Sequence, residues 1–94
     1  MADAIAELLV TETAIDKLGA RAISIEETHA VLRNDSVLVR NPHSDPPGKR
    51  RLLIGRTDGG RLLTLVIERT TDPTTWLVVT GWDATARERR LLGS

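Results

Sequence analysis

"RRLLIGRTDGGRLLTLVIER", residues 50–69, decides the fold. Two apolar runs meet at Asp58-Gly59-Gly60, a composition that supplies the positive backbone angles of a tight hairpin. Leu63, Leu65 and Ile67 alternate with Leu62 and Val66, so both faces of the second run are apolar. A sheet with one face in water shows a polar residue at every second position. These strands are therefore central, and other elements cover much of each face. Arg50, Arg51, Arg56, Arg61 and Arg69 border the runs, although the core needs none of them.

Two registers fit the hairpin. A four-residue turn, Thr57 to Gly60, sets Arg56 directly opposite Arg61, a like-charge pair that suits a solvated end or a bound phosphate. A two-residue Gly59-Gly60 turn pairs Arg56 with Leu63 and Arg51 with Glu68. Strand-end arginines also serve simply to solubilise edges.

Beyond the hairpin, "TDPTT" makes a turn and "WLVVTGW", residues 76–82, reads as a third long strand. Pairing Thr70 with Thr75 places Arg69 across from Trp76, within reach of a cation–π contact. The same register sets Leu65 across from Thr80 and Leu63 across from Trp82. Trp82 can stack a base, and it equally suits a core or rim anchor; the chain has no Tyr or Phe. "TARERRLL" follows, where Thr85 and Glu88 have the capping-box spacing of a short basic helix.

Towards the N-terminus, "SVLVR" reads as a strand and "NPHSDPPGK" as a proline-rich loop. "SIEETHAVLRN" has capping-box spacing at Ser24 and Glu27, with Ile25, Thr28, Val31 and Leu32 along one face. Asn34 suits a left-handed residue after the helix end. "TETAIDKLG" offers Thr11 or Thr13 as N-cap and Gly19 as a stop. "IAELLV", residues 5–10, fits either a short strand or a helical turn. The expected architecture is α+β: two N-terminal helices on a three- or four-stranded antiparallel sheet with a short C-terminal helix, one domain over residues 1–94.

Composition agrees. Ninety-four residues with 40% apolar content support one small core, and the absence of cysteine removes disulfides and thiol chemistry. No run approaches a membrane span or a leader, so the chain reads as cytoplasmic, with no membrane partner. The zero net charge hides an asymmetry. Residues 1–48 carry four basic and eight acidic side chains, and residues 49–94 carry nine and five. An anionic partner for the second half explains this bias, as does attraction between the halves.

His29 and His43 lack a second histidine at ligand spacing, so no metal is expected. Adjacent His43, Ser44 and Asp45 cannot converge as a triad. No glycine-rich loop opens a helix, and no cofactor is expected. Arginines without a metal suit RNA cleavage by the RNA's own 2′-hydroxyl, because guanidinium groups orient the phosphate and stabilise its developing charge. The general base would be Glu68, His29 or His43.

Ile23 to Glu27, Ile54 to Thr57 and Ala84 to Arg90, in this order, resemble motifs of the BrnT-type toxins and related small actinobacterial proteins. The resemblance spans residues 20–92. It implies a RelE-like fold, ribosome-independent endoribonuclease activity and a cognate antitoxin encoded nearby. Arg56 and Arg69 match basic positions on that family's sheet, and Thr80 matches a hydroxyl residue near the end of its last strand. Where the family has Lys-His-Gly, this chain has Ala20-Arg21-Ala22, so Arg21 would replace the histidine as an electrostatic contributor. Where the family has an arginine after a Ser-Ala pair, Trp82 follows Thr80-Gly81. The expected catalytic set is Arg21, Arg56, Arg69, Thr80 and Glu68, with RNA contacts from Arg50, Arg51, Arg61, Trp82, Arg87 and Arg90. The competing expectation is a non-catalytic module of the same fold, binding nucleic acid or an acidic protein through its arginines.

Overall fold

Thr11 accepts a hydrogen bond from the Ala14 amide at 3.2 Å and so starts helix α1 (Glu12–Gly19). That hydroxyl satisfies one of the amides a helix N-terminus leaves unpaired. The computed structural model describes residues 5–41 and 49–93, so His43, Ser44 and Asp45 lie outside the described residues. Before α1, the ambiguous IAELLV segment forms strand β1 (Glu7–Val10). Helix α2 (Ile25–Arg33) carries the complete Ser24–Glu27 capping box, with bonds of 3.1 and 3.0 Å. Ala22, between the helices, is the left-handed residue at φ 56°. Asn34 is not: it is extended, and its side-chain amide donates to the Arg56 carbonyl at 2.9 Å and to Asp58 at 3.1 Å. Its backbone amide still caps α2 by donating to the Ala30 carbonyl at 2.9 Å, so Asn34 both ends the helix and ties it to the hairpin turn.

Strands β2 (Ser36–Arg40), β3 (Arg50–Arg56), β4 (Leu62–Arg69) and β5 (Thr75–Asp83) form an antiparallel meander. β1 adds to the β5 edge in parallel, giving the order β1-β5-β4-β3-β2. The expected three- or four-stranded antiparallel sheet is therefore a five-stranded mixed one. Parallel neighbours are joined by long crossovers, which leave no local turn signal in the sequence.

The hairpin adopts neither expected register. Arg56 faces Leu62, Arg51 faces Ile67 and Arg50 faces Glu68. Thr57 donates its amide to the Arg61 carbonyl at 2.8 Å, and Gly60 sits at φ 86°. The loop is thus three residues, Asp58 to Gly60, with the glycine in the left-handed position such a loop requires. Arg56 and Arg61 are not cross-strand partners.

Between β4 and β5 the start is as expected, with Arg69 opposite Trp76. Ile67 then faces Val78 but Val66 faces Thr80, a bulge that leaves Val79 as the extra residue of β5. Because side chains alternate along a strand, one extra residue reverses every later one. Leu65 consequently faces Gly81 and Leu63 faces Asp83, while Thr80 and Trp82 turn to the opposite face from Trp76.

One face packs on α1 and α2. Its core joins Leu53, Leu63, Leu65, Ile67, Trp76 and Val78 to Leu8, Leu18, Ile23 and Val31. The helices approach closely over glycines. A Cβ on Gly81 would stand 2.8 Å from Leu65 Cδ2 and 3.1 Å from Leu18 Cδ2; one on Gly55 would stand 3.0 Å from Val31 Cγ1. The other face is partly covered by helix α3 (Ala86–Leu91), and Ile54 and Thr64 on it are fully buried. The α+β class holds, with the helices divided between the two faces of the sheet.

Candidate functional site

The face under α3 is the candidate site. Directly opposed residues share a face, which sorts it into rows across β3, β4 and β5. Arg50, Glu68 and Leu77 form the first row, Leu52, Val66 and Thr80 the second. Ile54, Thr64 and Trp82 form the third, and Arg56 with Leu62 begins the fourth. α3 is six residues, about 9 Å long, on a sheet about 19 Å wide between its outer strands. A helix so short cannot cover all four rows. Leu52, Leu77, Thr80 and Trp82 remain only half-buried, and Leu91 on α3 is 53% exposed.

Glu88 anchors α3. Its Oε1 accepts from the Thr64 hydroxyl at 2.9 Å, the Trp82 indole N–H at 3.0 Å and the Thr85 amide at 2.9 Å. The Thr85 hydroxyl accepts in return from the Glu88 amide, completing the expected capping box. Burial opposes ionisation of Glu88, but the bonds from Thr85, Trp82 and Thr64 outweigh it and hold the carboxyl below its ordinary value. Its capping spacing was evident in sequence. Its role as a side-chain hub was not, because Thr64 lies on a distant strand.

Beside α3 opens a groove of about 670 Å³. Val39, Leu52 and Trp82 line it from the sheet, Arg87 and Leu91 from α3, and Arg40 and Asn41 from the end of β2. Trp82 and Arg87 stand out in the sequence as candidate RNA contacts; the apolar residues that join them do not. On the first row, Arg50 Nε reaches Glu68 Oε1 at 2.9 Å. Thr80 stands one row along from Glu68, a diagonal separation of roughly 7 Å.

The remaining expected residues do not join this set. Arg56 shares the face but lies six residues along β3 from Arg50, about 20 Å away. Arg90 is exposed on α3. Arg51 and Arg69 belong to the α1–α2 face, where the Arg69 guanidinium lies 4.8 Å from the Trp76 ring centre. Arg21 donates to the Gly81 carbonyl at 3.3 Å from the loop after α1. The expected catalytic set is therefore not one constellation: the register and the bulge divide it between two faces.

Arg61 is engaged within the fold. It donates to Asp83 at 2.7 and 3.3 Å, to Glu27 at 3.3 Å, and to the carbonyls of Ala22 and Arg21 at 2.8 and 3.0 Å. The Asp83 hydrogen bond raises the Arg61 pKa, and the same bond lowers that of Asp83. These contacts lock the loop holding the left-handed Ala22. His29 is exposed on α2, with Nε2 3.1 Å from the Leu8 carbonyl oxygen.

Among the described residues, no group of three or more His, Asp or Glu side chains stands where it could hold a metal ion. No helix there is long and apolar enough to cross a membrane. No curated protein and no solved structure matches the chain. A family model described as a domain of unknown function, DUF4258, matches residues 10–82, from the end of β1 to Trp82, and the chain belongs to that family.

Proposed function

We propose that the chain binds RNA across the α3 face and cleaves it as a metal-independent, toxin-type endoribonuclease. The observation that carries this reading is the grouping of Glu68, Arg50 and Thr80 beside a half-covered groove on one face. Glu68 accepts the proton of the ribose 2′-hydroxyl, and the 2′-oxygen forms its bond to phosphorus. The bond from phosphorus to the 5′-oxygen breaks, and the departing oxygen takes a proton from solvent. Arg50 stabilises the charge that develops on the phosphate, and Thr80 donates to a phosphate oxygen. Arg87 and Arg90 draw the flanking strand by charge. The products are a 2′,3′-cyclic phosphate and a free 5′-hydroxyl.

The reading carries with it a cytoplasmic location and an antitoxin encoded beside the gene, as the BrnT resemblance implies. A neighbouring small reading frame whose product binds this chain would support that part. A second reading, RNA binding without cleavage, draws on the Arg50–Glu68 ion pair, because that contact already occupies the carboxylate that would have to accept the proton.

Purified protein incubated with labelled mixed-sequence RNA in EDTA tests both. Cyclic-phosphate products, lost in Glu68→Gln and Arg50→Ala but retained in Arg69→Ala, are expected. Cleavage untouched by Glu68→Gln would exclude this site. Binding without products would leave the second reading.

A further inference from the structure

We propose that the groove beside α3 is a seat for a single nucleobase; the choice of RNA as the source of that base rests on the reading just given. The groove's volume, about 670 Å³, falls within the range of pockets that enclose small organic ligands. Its lining from the sheet includes the apolar Val39 and Leu52, and Leu91 on α3 adds to that surface. A bare phosphate has no use for such a lining. A purely apolar ligand has no use for Arg87 on the same helix. A flat aromatic ring joined to an anionic backbone uses both.

Trp82 makes the seat specific for something planar. Its indole N–H is fixed on Glu88 at 3.0 Å, so the ring's orientation is set before any ligand arrives. Half-buried in the groove lining, it supplies a π system of the kind on which bases stack in single-stranded nucleic-acid sites. Glu88 also lines the groove, but its Oε1 is turned to Thr64, Trp82 and Thr85, which blunts its repulsion of an anion.

Position links the seat to the proposed chemistry. Leu52 in the groove lining lies one row from Arg50 and Glu68, roughly 7 Å away. A base held over Leu52 thus leaves its own phosphate near Arg50. The seat would therefore choose which nucleotide sits beside the scissile bond.

The test uses the tryptophan fluorescence of the intact chain. Trp76 is fully buried and supplies a constant background, so quenching reports Trp82. The probes are AMP, UMP, ribose 5-phosphate, and a short 2′-O-methyl RNA with and without one abasic position. Saturable quenching by a nucleotide but not by ribose 5-phosphate is expected, together with at least a tenfold loss of RNA affinity on abasic substitution. Leu91→Glu sets a carboxylate at the groove wall on an exposed residue, and should weaken nucleotide binding about tenfold while circular dichroism stays unchanged.

Ribose 5-phosphate matching the nucleotides, or no saturable quenching by any probe, would overturn the seat. RNA bound equally well with the abasic position would overturn the seat while leaving the RNA reading intact. Nucleotide binding without any RNA binding would keep the seat and sink the RNA reading.

Discussion

At the residue scale, two polar hubs divide the labour. Glu88 gathers Thr64, Trp82 and Thr85 under α3, and Arg61 gathers Asp83, Glu27 and two carbonyls around the loop after α1. The Glu88 carboxyl titrates lower in the folded chain than its unfolded value of 4.5. Its network therefore stabilises the fold above that value, and the stabilisation is lost as the pH falls through the folded pKa. Urea unfolding of Glu88→Ala should show a loss of about 2 kcal/mol at pH 7, narrowing as the pH drops below 4.5. Arg61→Ala should cost a similar amount, about 2 kcal/mol, and Arg61→Lys should recover only part of it, because an ammonium cannot fork onto Asp83. A fully stable Arg61→Ala protein would release Arg61 for the RNA contact that its place in the sequence suggested. The capping half of the Glu88 network was legible because it is local. The Arg61 cluster was not, because its partners come from α2, β5 and the intervening loop.

At the element scale, the Val79 bulge does most to place the site. Unbroken alternation along β5 puts Thr80 and Trp82 on the face of Trp76, and nothing in Val78-Val79 signals an interruption. The packing supplies a reason: Gly81, not a larger residue, meets Leu18 and Leu65 on the α1 side. Gly81→Ala should therefore lower stability by about 1–3 kcal/mol through overpacking, measurable by denaturant unfolding. A neutral outcome would mean that α1 is free to shift over the sheet. The hairpin, the capped helices and the doubly apolar central strands were legible, since each has a local or periodic signal. β1 was ambiguous as an element and its parallel partner invisible. The hairpin's three-residue loop was missed because Asp58-Gly59-Gly60 allows more than one register.

At the scale of the whole molecule, the basic second half of the chain is not gathered into one patch. Arg50, Arg56, Arg87 and Arg90 belong to the α3 side, Arg51 and Arg69 to the α1–α2 face, and Arg61 is held by the fold. RNA affinity should therefore depend on salt only as steeply as a few phosphate contacts allow, with a logarithmic slope of about −2. Arg87→Ala should flatten that slope by about 0.7, and Arg69→Ala should leave it unchanged. The asymmetry itself was legible in the sequence; its division between two faces required the register.

Binding of RNA on the α3 face would be read out by the two indole N–H signals of the 15N-labelled protein. They would be followed in NMR spectra while a non-cleavable 2′-O-methyl RNA is added. Trp82 faces the groove and Trp76 the α1–α2 core, so each reports one side of the sheet. A saturable shift of the Trp82 signal with Trp76 unmoved is predicted. A shift of Trp76 with Trp82 unmoved, or no shift of either, would contradict the account.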